Sequence, residues 1–234
     1  EALFALFDMA CLLALPRTLD NARRERLPQS MRLLILRTLE KSIVFPRVPL
    51  SQPSSPRRPS ARRNAHELYQ TAPPETYRHF AQLLRKLADE TGEKASVITF
   101  NYDIGLDAAL SKAGVPYDYA LGAAEKPNDR HLLLKLHGSL NWLHSTTTGK
   151  TAPIDVSLLV SDDVSSSDEP RCCMISDHLD GAAPFMVPPT WNKVRYYEHI
   201  RPVWRAAGEA LASAESVFVI GYSLPASDHF FREL

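Results

Sequence analysis

Three short runs of β-forming apolar residues stand out along the chain: Ser96–Phe100, Leu132–Leu136 and Ser216–Ile220. Each is too short for a helix and nearly continuous in its apolar character, the pattern of a strand buried on both faces. Each also stops abruptly at polar residues: Asn101-Tyr102-Asp103, His137-Gly138-Ser139 and Gly221-Tyr222-Ser223. Val115–Tyr119 and Phe185–Pro189 are weaker strand candidates, the second stopped by prolines that cannot donate to a ladder.

Between these runs the apolar spacing changes to about 3.6. Glu75–Ala88 places Phe80, Leu83, Leu84 and Leu87 on a helix closed by Thr91-Gly92. Leu106, Ala109 and Leu110 form a second stripe ending at Gly114, and Tyr196–Ala212 a longer helix with Trp204 and Leu211 inward and Pro202 as an entry or kink. Upstream, Ala2–Leu15 is apolar nearly all round, and Leu27–Ile43 carries Met31, Leu34, Ile35, Leu39 and Ile43 on one face. A short helix is expected over Asp228–Leu234.

Strands alternating with helices predict an α/β fold, a Rossmann-like parallel sheet with helices on both faces. One domain over residues 1–234 is expected: 1–95 a mostly helical segment, 96–234 a strand–helix core. The Pro-, Ser- and Arg-rich stretch 46–63 cannot bury enough apolar surface to fold alone and reads as a mobile loop. Thr146–Pro170 reads as an insertion loop and Glu125–Arg130 as a polar connection.

Composition narrows the function. The chain has 234 residues, 27 basic and 27 acidic, so its net charge of zero gives no reason to expect nucleic acid or an anionic membrane as partner. The arginines Arg57, Arg58, Arg62 and Arg63 have no aromatic residues among them, so a solvated loop fits them better than a single-strand platform. The longest apolar run, Leu3–Leu15, is broken by Asp8 and falls short of the roughly 18 residues a spanning helix needs. Its start has neither Met nor the basic flank of an export signal, which suggests a fragment or a processed chain. Three cysteines, Cys11, Cys172 and Cys173, form no disulfide framework and no zinc ribbon, and a reducing, cytoplasmic setting fits them.

In open α/β sheets ligands bind outside the carboxyl ends of the strands, so the three polar turns are the candidate chemistry. Asn101 offers a donor and an acceptor, suited to a water or a sugar hydroxyl, and Asp103 an acceptor-only anion; equally, the two could make an Asx-turn and cap a helix. His137 can take a proton near its ordinary pKa of about 6.5, and Gly138 lets a ligand approach the backbone; a structural histidine is the other reading. His131 and His144 have no metal-site spacing to His137, and no metal is expected. Gly221 and Ser223, at a strand-to-helix turn, suit a phosphate or ribose, or an ordinary turn. Ser223 is not in a G-x-S-x-G frame, which argues against a hydrolase elbow.

Thr99-Phe100-Asn101-Tyr102-Asp103, Lys135–Trp142, Val187–Lys193 and Gly221–Asp228 together resemble the ordered motifs of the sirtuin-like NAD-consuming domains of bacterial antiphage proteins. The resemblance covers roughly residues 96–234. It implies NAD as substrate, hydrolysed to nicotinamide and ADP-ribose, with Asn101 and His137 as the catalytic pair. It further implies that Thr99, Asp103 and Gly138 line the nicotinamide end and that Gly221 and Ser223 contact the nucleotide. No zinc is implied, because the four-cysteine ribbon of the deacylating sirtuins cannot be built here, so protein deacylation is the weaker enzymatic reading. A non-catalytic nucleotide-sensing module is the reading from a different class. Expected partners are NAD itself and either a second copy or an added effector or sensor domain. The family's glycine-rich phosphate loop is not seen; the expectation is that it lies upstream of Glu1 or has degenerated.

Overall fold

The computed structural model describes residues 30, 33–34, 36–39, 45–49, 69–122, 129–145, 147–159, 182–187 and 197–221. Its centre is a parallel three-stranded sheet, ordered β3-β5-β4, with β3 at Ser96–Thr99, β4 at Tyr117–Asp118 and β5 at His131–Lys135. Val97 pairs with Leu133 and Ile98 with Leu134, and Tyr117 with His131 on the other side. Leu133 and Leu134 point to opposite faces of β5, yet both are completely buried, so the sheet is covered on both sides. This is the Rossmann-like α/β architecture expected from the runs.

The covering helices are α1 (Glu75–Thr91), α2 (Gly105–Lys112) and α4 (Tyr197–Ser213), with a one-turn α3 at Val156–Leu159. Helix α1 follows two prolines and stops at Gly92, whose left-handed φ of 74° lets its N–H reach the Ala88 carbonyl. The buried side chains of α1 are Ala81 and Leu84, with Tyr77 and Phe80 packed beside them. Leu83 and Leu87, expected on the inner stripe, are 59% and 39% exposed. The stripe runs 77, 81, 84, because Ala81 lets the helix come close to the sheet.

Helix α4 carries Ile200, Val203, Ala206 and Ala207 into the core and packs on β5 and β3. Its Pro202 lies inside the helix, past the first turn, where the missing N–H removes one intrahelical hydrogen bond. Trp204 is half-buried and its indole N–H donates to the Leu136 carbonyl at 2.9 Å, anchoring the helix to the end of β5.

A second, antiparallel sheet, ordered β7-β6-β8, was not expected: β6 is Gly138–Ser145, β7 Thr151–Pro153 and β8 Ala182–Met186. It follows directly from β5 through the turn at Leu136-His137. Thr146–Pro170 is therefore not all loop, since β7 and α3 lie within it; residues 160–170 fall outside the described residues. Similarly, the stretch 46–63 opens with a strand, β1 (Arg47–Pro49), paired antiparallel to β2 (Tyr69–Thr71). A ladder with β2 gives those residues hydrogen bonds that their composition alone did not promise. Residues 50–63 lie outside the described residues.

In the Leu27–Ile43 helix the described residues are helical, but the fully buried one is Leu36, in a second core with Phe45, Ile104, Ala108 and Leu140; Leu34 is 52% exposed. The expected helices at Ala2–Leu15 and Asp228–Leu234 lie outside the described residues.

The third strand requires correction. Ser216–Ile220 is neither helix nor strand, and Val217, Phe218, Val219 and Ile220 are 59 to 84% exposed. A strand needs a hydrogen-bonded neighbour, and among the described residues none pairs with this run.

Candidate active site

The ends of β3 and β5 are stitched together as parallel neighbours must be if their turns are to meet. The Leu136 N–H donates to the Thr99 carbonyl at 3.0 Å, and the Leu140 N–H to the Tyr102 carbonyl at 3.0 Å. Thr99 also accepts the Asn101 N–H on its hydroxyl at 3.1 Å, bending the chain as it leaves the strand. The turns Asn101–Asp103 and His137-Gly138 thereby lie side by side at the carboxyl ends of the sheet.

Asp103 was expected to cap a helix; the N-cap of α2 is Ile104, and Asp103 instead makes an Asx-turn to the first helical N–H. Its Oδ1 accepts the Gly105 N–H at 2.9 Å at the start of α2. Gly105 is itself required: a Cβ there would come within 2.5 Å of the Tyr77 ring and 3.0 Å of Asp103 Oδ1. Tyr77, from α1, thus packs against the same turn. Burial raises its hydroxyl pKa first, the negative charge of Asp103 adds to this, and hydrogen bonding with the Asn101 side chain pulls the other way. Its phenol belongs to the neighbourhood of Asn101 and Asp103, a contact with no periodic signal along the chain.

His137 is 8% exposed and held by rings: Phe100 edge-on at 5.2 Å and Tyr102 tilted at 6.1 Å between centroids. Its carbonyl accepts the Val187 N–H at 2.7 Å, while the Tyr102 hydroxyl donates to the Val187 carbonyl at 2.5 Å. Asn101, by contrast, is exposed. The pair therefore offers one sheltered imidazole and one solvent-facing amide at neighbouring strand ends.

Gly138 has a φ of 84°, a conformation unfavourable to any L side chain, and a Cβ would collide with the Phe185 carbonyl. The glycine thus lets β8 lie tight against the His137 turn. Of the residues expected at the site, Thr99, Asn101, Asp103, His137 and Gly138 are brought together. Gly221 is exposed, with a φ of 65° and open space around it, and makes none of these contacts. Ser223 lies outside the described residues.

Beneath the two turns is a buried polar cluster. Lys135 forms an ion pair with Asp107 at 2.8 Å, their side chains 2% and 0% exposed. Lys135 also donates to Ser139 Oγ at 2.8 Å and to the Asp103 carbonyl at 2.5 Å. Asp107 accepts the Tyr119 hydroxyl, and burial followed by the Asp107 charge pushes the pKa of that phenol far up. Asn141 closes the ring, accepting from Ser139 at 2.7 Å and donating to Tyr119 at 3.0 Å and to the Ile154 carbonyl at 3.1 Å.

The opposite end of the sheet is chemically different. His131, at the start of β5, accepts the Ala95 N–H on Nδ1 at 3.0 Å, and burial, with the Lys94 charge next, lowers its pKa. It borders a cavity of about 280 Å³ also lined by Arg85, Asp89, Lys94 and Pro116. That cavity lies at the amino ends of the strands, away from the polar turns, so His131 is a structural histidine. Among the described residues no group of three or more His, Cys, Asp or Glu side chains could hold a metal ion, and no helix is long and apolar enough to cross a membrane.

A covered parallel sheet with polar turns side by side at its carboxyl ends places the chain among the Rossmann-like α/β proteins, which bind their ligands at that edge. The SIR2-like domain model matches residues 95–234, more than half of the chain, and the chain belongs to this family. SIR2-like domains bind NAD, and many members have NAD-dependent catalytic activity. Among curated proteins no significant match to the chain is found.

Proposed function

We propose that the protein is an NAD glycohydrolase that cleaves the bond between nicotinamide and ribose to give nicotinamide and ADP-ribose, and that its depletion of NAD serves antiphage defence. The observation that carries the cleavage reading is the convergence of Asn101 and His137 on adjacent turns of parallel strands. The defence role rests on the motif resemblance alone.

The donor set fits the nicotinamide ribose. Nicotinamide leaves as a neutral molecule from a cationic ring, taking the electron pair of the C–N bond, so no acid is needed to protonate it. What the site must do is stabilise positive charge on the ribose and deliver a water. Asn101 orients the ribose hydroxyls or that water, and His137 accepts the proton released as the water oxygen bonds to the ribose carbon. Phe100 and Tyr102 shelter the imidazole, and Thr99, Asp103 and Gly138 form the surrounding wall. Gly221 and Ser223 are assigned to the nucleotide on sequence pattern.

The test is release of nicotinamide from NAD by the protein and its His137→Ala variant. Turnover in the parent and a loss of at least about 100-fold in the variant is expected. Near-normal turnover in a folded variant would remove His137 from the role. NAD binding without turnover in the parent would point to a nucleotide-sensing module, and NAD-dependent deacylation of a peptide to the deacylase reading. Chromatography of the products separates hydrolysis from cyclisation.

A further inference from the structure

We infer that Lys135 is a positioning residue for the reaction: its buried ammonium locks the Asn101–Asp103 turn against the His137 turn. The inference rests on the assignment of Asn101 and His137 given above, and it concerns a residue that touches neither substrate nor reacting atoms.

The geometry is directional. Lys135 Nζ has three neighbours, the Asp103 carbonyl at 2.5 Å, Ser139 Oγ at 2.8 Å and Asp107 Oδ2 at 2.8 Å. The Asp107 contact is a charge pairing off the hydrogen-bond axis; the other two are hydrogen bonds. Lys135, Asp107, Tyr119, Asn141 and Ser139 form a closed ring of polar contacts drawn from β5, α2, the segment after β4, and β6. From this ring the ammonium sends one donor out, to the backbone of the Asn101–Asp103 turn.

The placement brackets the imidazole. His137 sits two residues after Lys135 and two before Ser139, and both of those side chains are tied to each other. Asn101 sits two residues before Asp103, whose carbonyl takes the other hydrogen bond of the ammonium. Beside the Leu140 N–H bond and the longer Ser139 Oγ contact at 3.4 Å to the Tyr102 carbonyl, one buried charge therefore ties down the chain next to both candidate catalytic side chains.

Stability alone is a poor reason for such a group. Desolvating a lysine and an aspartate is expensive, and well-packed apolar replacements of a buried ion pair are often neutral or stabilising. What an apolar residue cannot supply is a hydrogen bond to a particular carbonyl. A misplacement of about 1 Å in a reacting group costs on the order of 100-fold in rate, so holding two turns in register has catalytic value.

The test uses the double variant Lys135→Met/Asp107→Leu, which removes both charges and leaves neither orphaned. Nicotinamide release is followed with NAD, together with the partition of product between water and added methanol. Loss of folded protein lowers the rate but leaves that partition unchanged, so the partition reads the placement of the attacking water. Expected are a KM within about threefold of the parent, a kcat at least 30-fold lower as an order of magnitude, and a partition shifted toward methanol by about threefold or more.

Backbone amide exchange at residues 102–105 should also rise about tenfold, with that of α1 unchanged. A parent-like kcat and partition in the folded double variant would overturn the inference. If the double variant does not fold, Ser139→Ala cuts two ties of the ring, to Lys135 and to Asn141, and leaves the ammonium its bond to the Asp103 carbonyl, so a smaller loss of about fivefold in kcat with the same partition shift is expected; a parent-like partition would overturn the inference there too. If the parent releases no nicotinamide, the NAD reading fails by itself, and unchanged amide exchange at 102–105 in the variant would overturn the positioning role independently.

Discussion

Two runs with nearly the same grammar met different fates. Leu132–Leu136 followed by His137-Gly138 and Ser216–Ile220 followed by Gly221 are both apolar stretches ending in a polar turn with glycine. The first lies between β3 and β4, and its residues 133, 134 and 136 are at most 1% exposed. The second has no ladder partner among the described residues and leaves Phe218 84% exposed. Composition qualifies a segment to be a strand; a neighbour with free N–H and carbonyl groups makes it one. The chemistry follows the same rule, because the turn after β5 is held by its neighbours, whereas Gly221, the last described residue of the other run, has open space around its Cα.

The largest effect expected from breaking the ordered region is at Asp107. Asp107→Ala leaves the Lys135 ammonium buried without its counter-charge, and a loss of about 3–5 kcal/mol in unfolding free energy is expected from urea denaturation. A loss under about 1 kcal/mol would mean that the polar cluster is better hydrated than its burial indicates.

Gly138→Ala comes next. The substitution combines a strained φ with a collision against the Phe185 carbonyl, and about 3 kcal/mol of destabilisation is expected. The comparison predicts that Gly221→Ala, with a similar positive φ but open space, costs only about 1 kcal/mol. Equal losses at the two glycines would contradict the difference in packing.

The tyrosines around Asp107 add a pH dependence. Tyr77, Tyr117 and Tyr119 all have raised pKa values, in each case because of burial first and of carboxylate charge second. A raised folded-state value means that the native state keeps protons which the unfolded state releases, so this stability is complete below about pH 10 and falls as pH rises beyond it. In that range the more deeply buried phenols of Tyr117 and Tyr119 each contribute a slope approaching about 1.4 kcal/mol per pH unit, and the more exposed Tyr77 adds in the same direction. Urea midpoints from pH 9 to 11.5 should therefore fall steeply in the parent, and less steeply in Tyr119→Phe. An unchanged slope in that variant would take Tyr119 out of the linkage.

How far the sequence could be read follows from the same physics. β3 and β5 were legible because both of their faces are apolar, and Asn101, Asp103 and His137 were legible as polar residues at their ends. β6 was hidden because Ser139 and Asn141 alternate with Leu140 and Trp142, and an alternating pattern promises a solvent face. Here that face is turned instead toward Lys135 and Tyr119. Asp107 and Lys135 have no local signal of burial, since charged residues are ordinarily solvated; the two are buried as a pair. Tyr77 was missed because its role comes from the approach of α1 to Gly105, a tertiary contact with no local signal. Ser216–Ile220 failed in the opposite sense, its local signal being strong and its partner lacking among the described residues.

The smallest expected effect is the sharpest test of that contrast. Leu134→Ala removes a fully buried side chain from β5 and should cost about 2–5 kcal/mol. Phe218→Ser changes a larger apolar side chain in the run that most resembles β5, yet at 84% exposure it should shift stability by no more than about 0.5 kcal/mol. Hydropathy alone ranks the two substitutions the other way, since phenylalanine to serine is the greater change. Measured side by side in urea, a loss at Phe218 approaching that at Leu134 would mean that Ser216–Ile220 is buried in solution and that Gly221 is carried with it toward a folded strand end. A small loss there beside a large one at Leu134 assigns the ordered chemistry of this chain to the turns after β3 and β5.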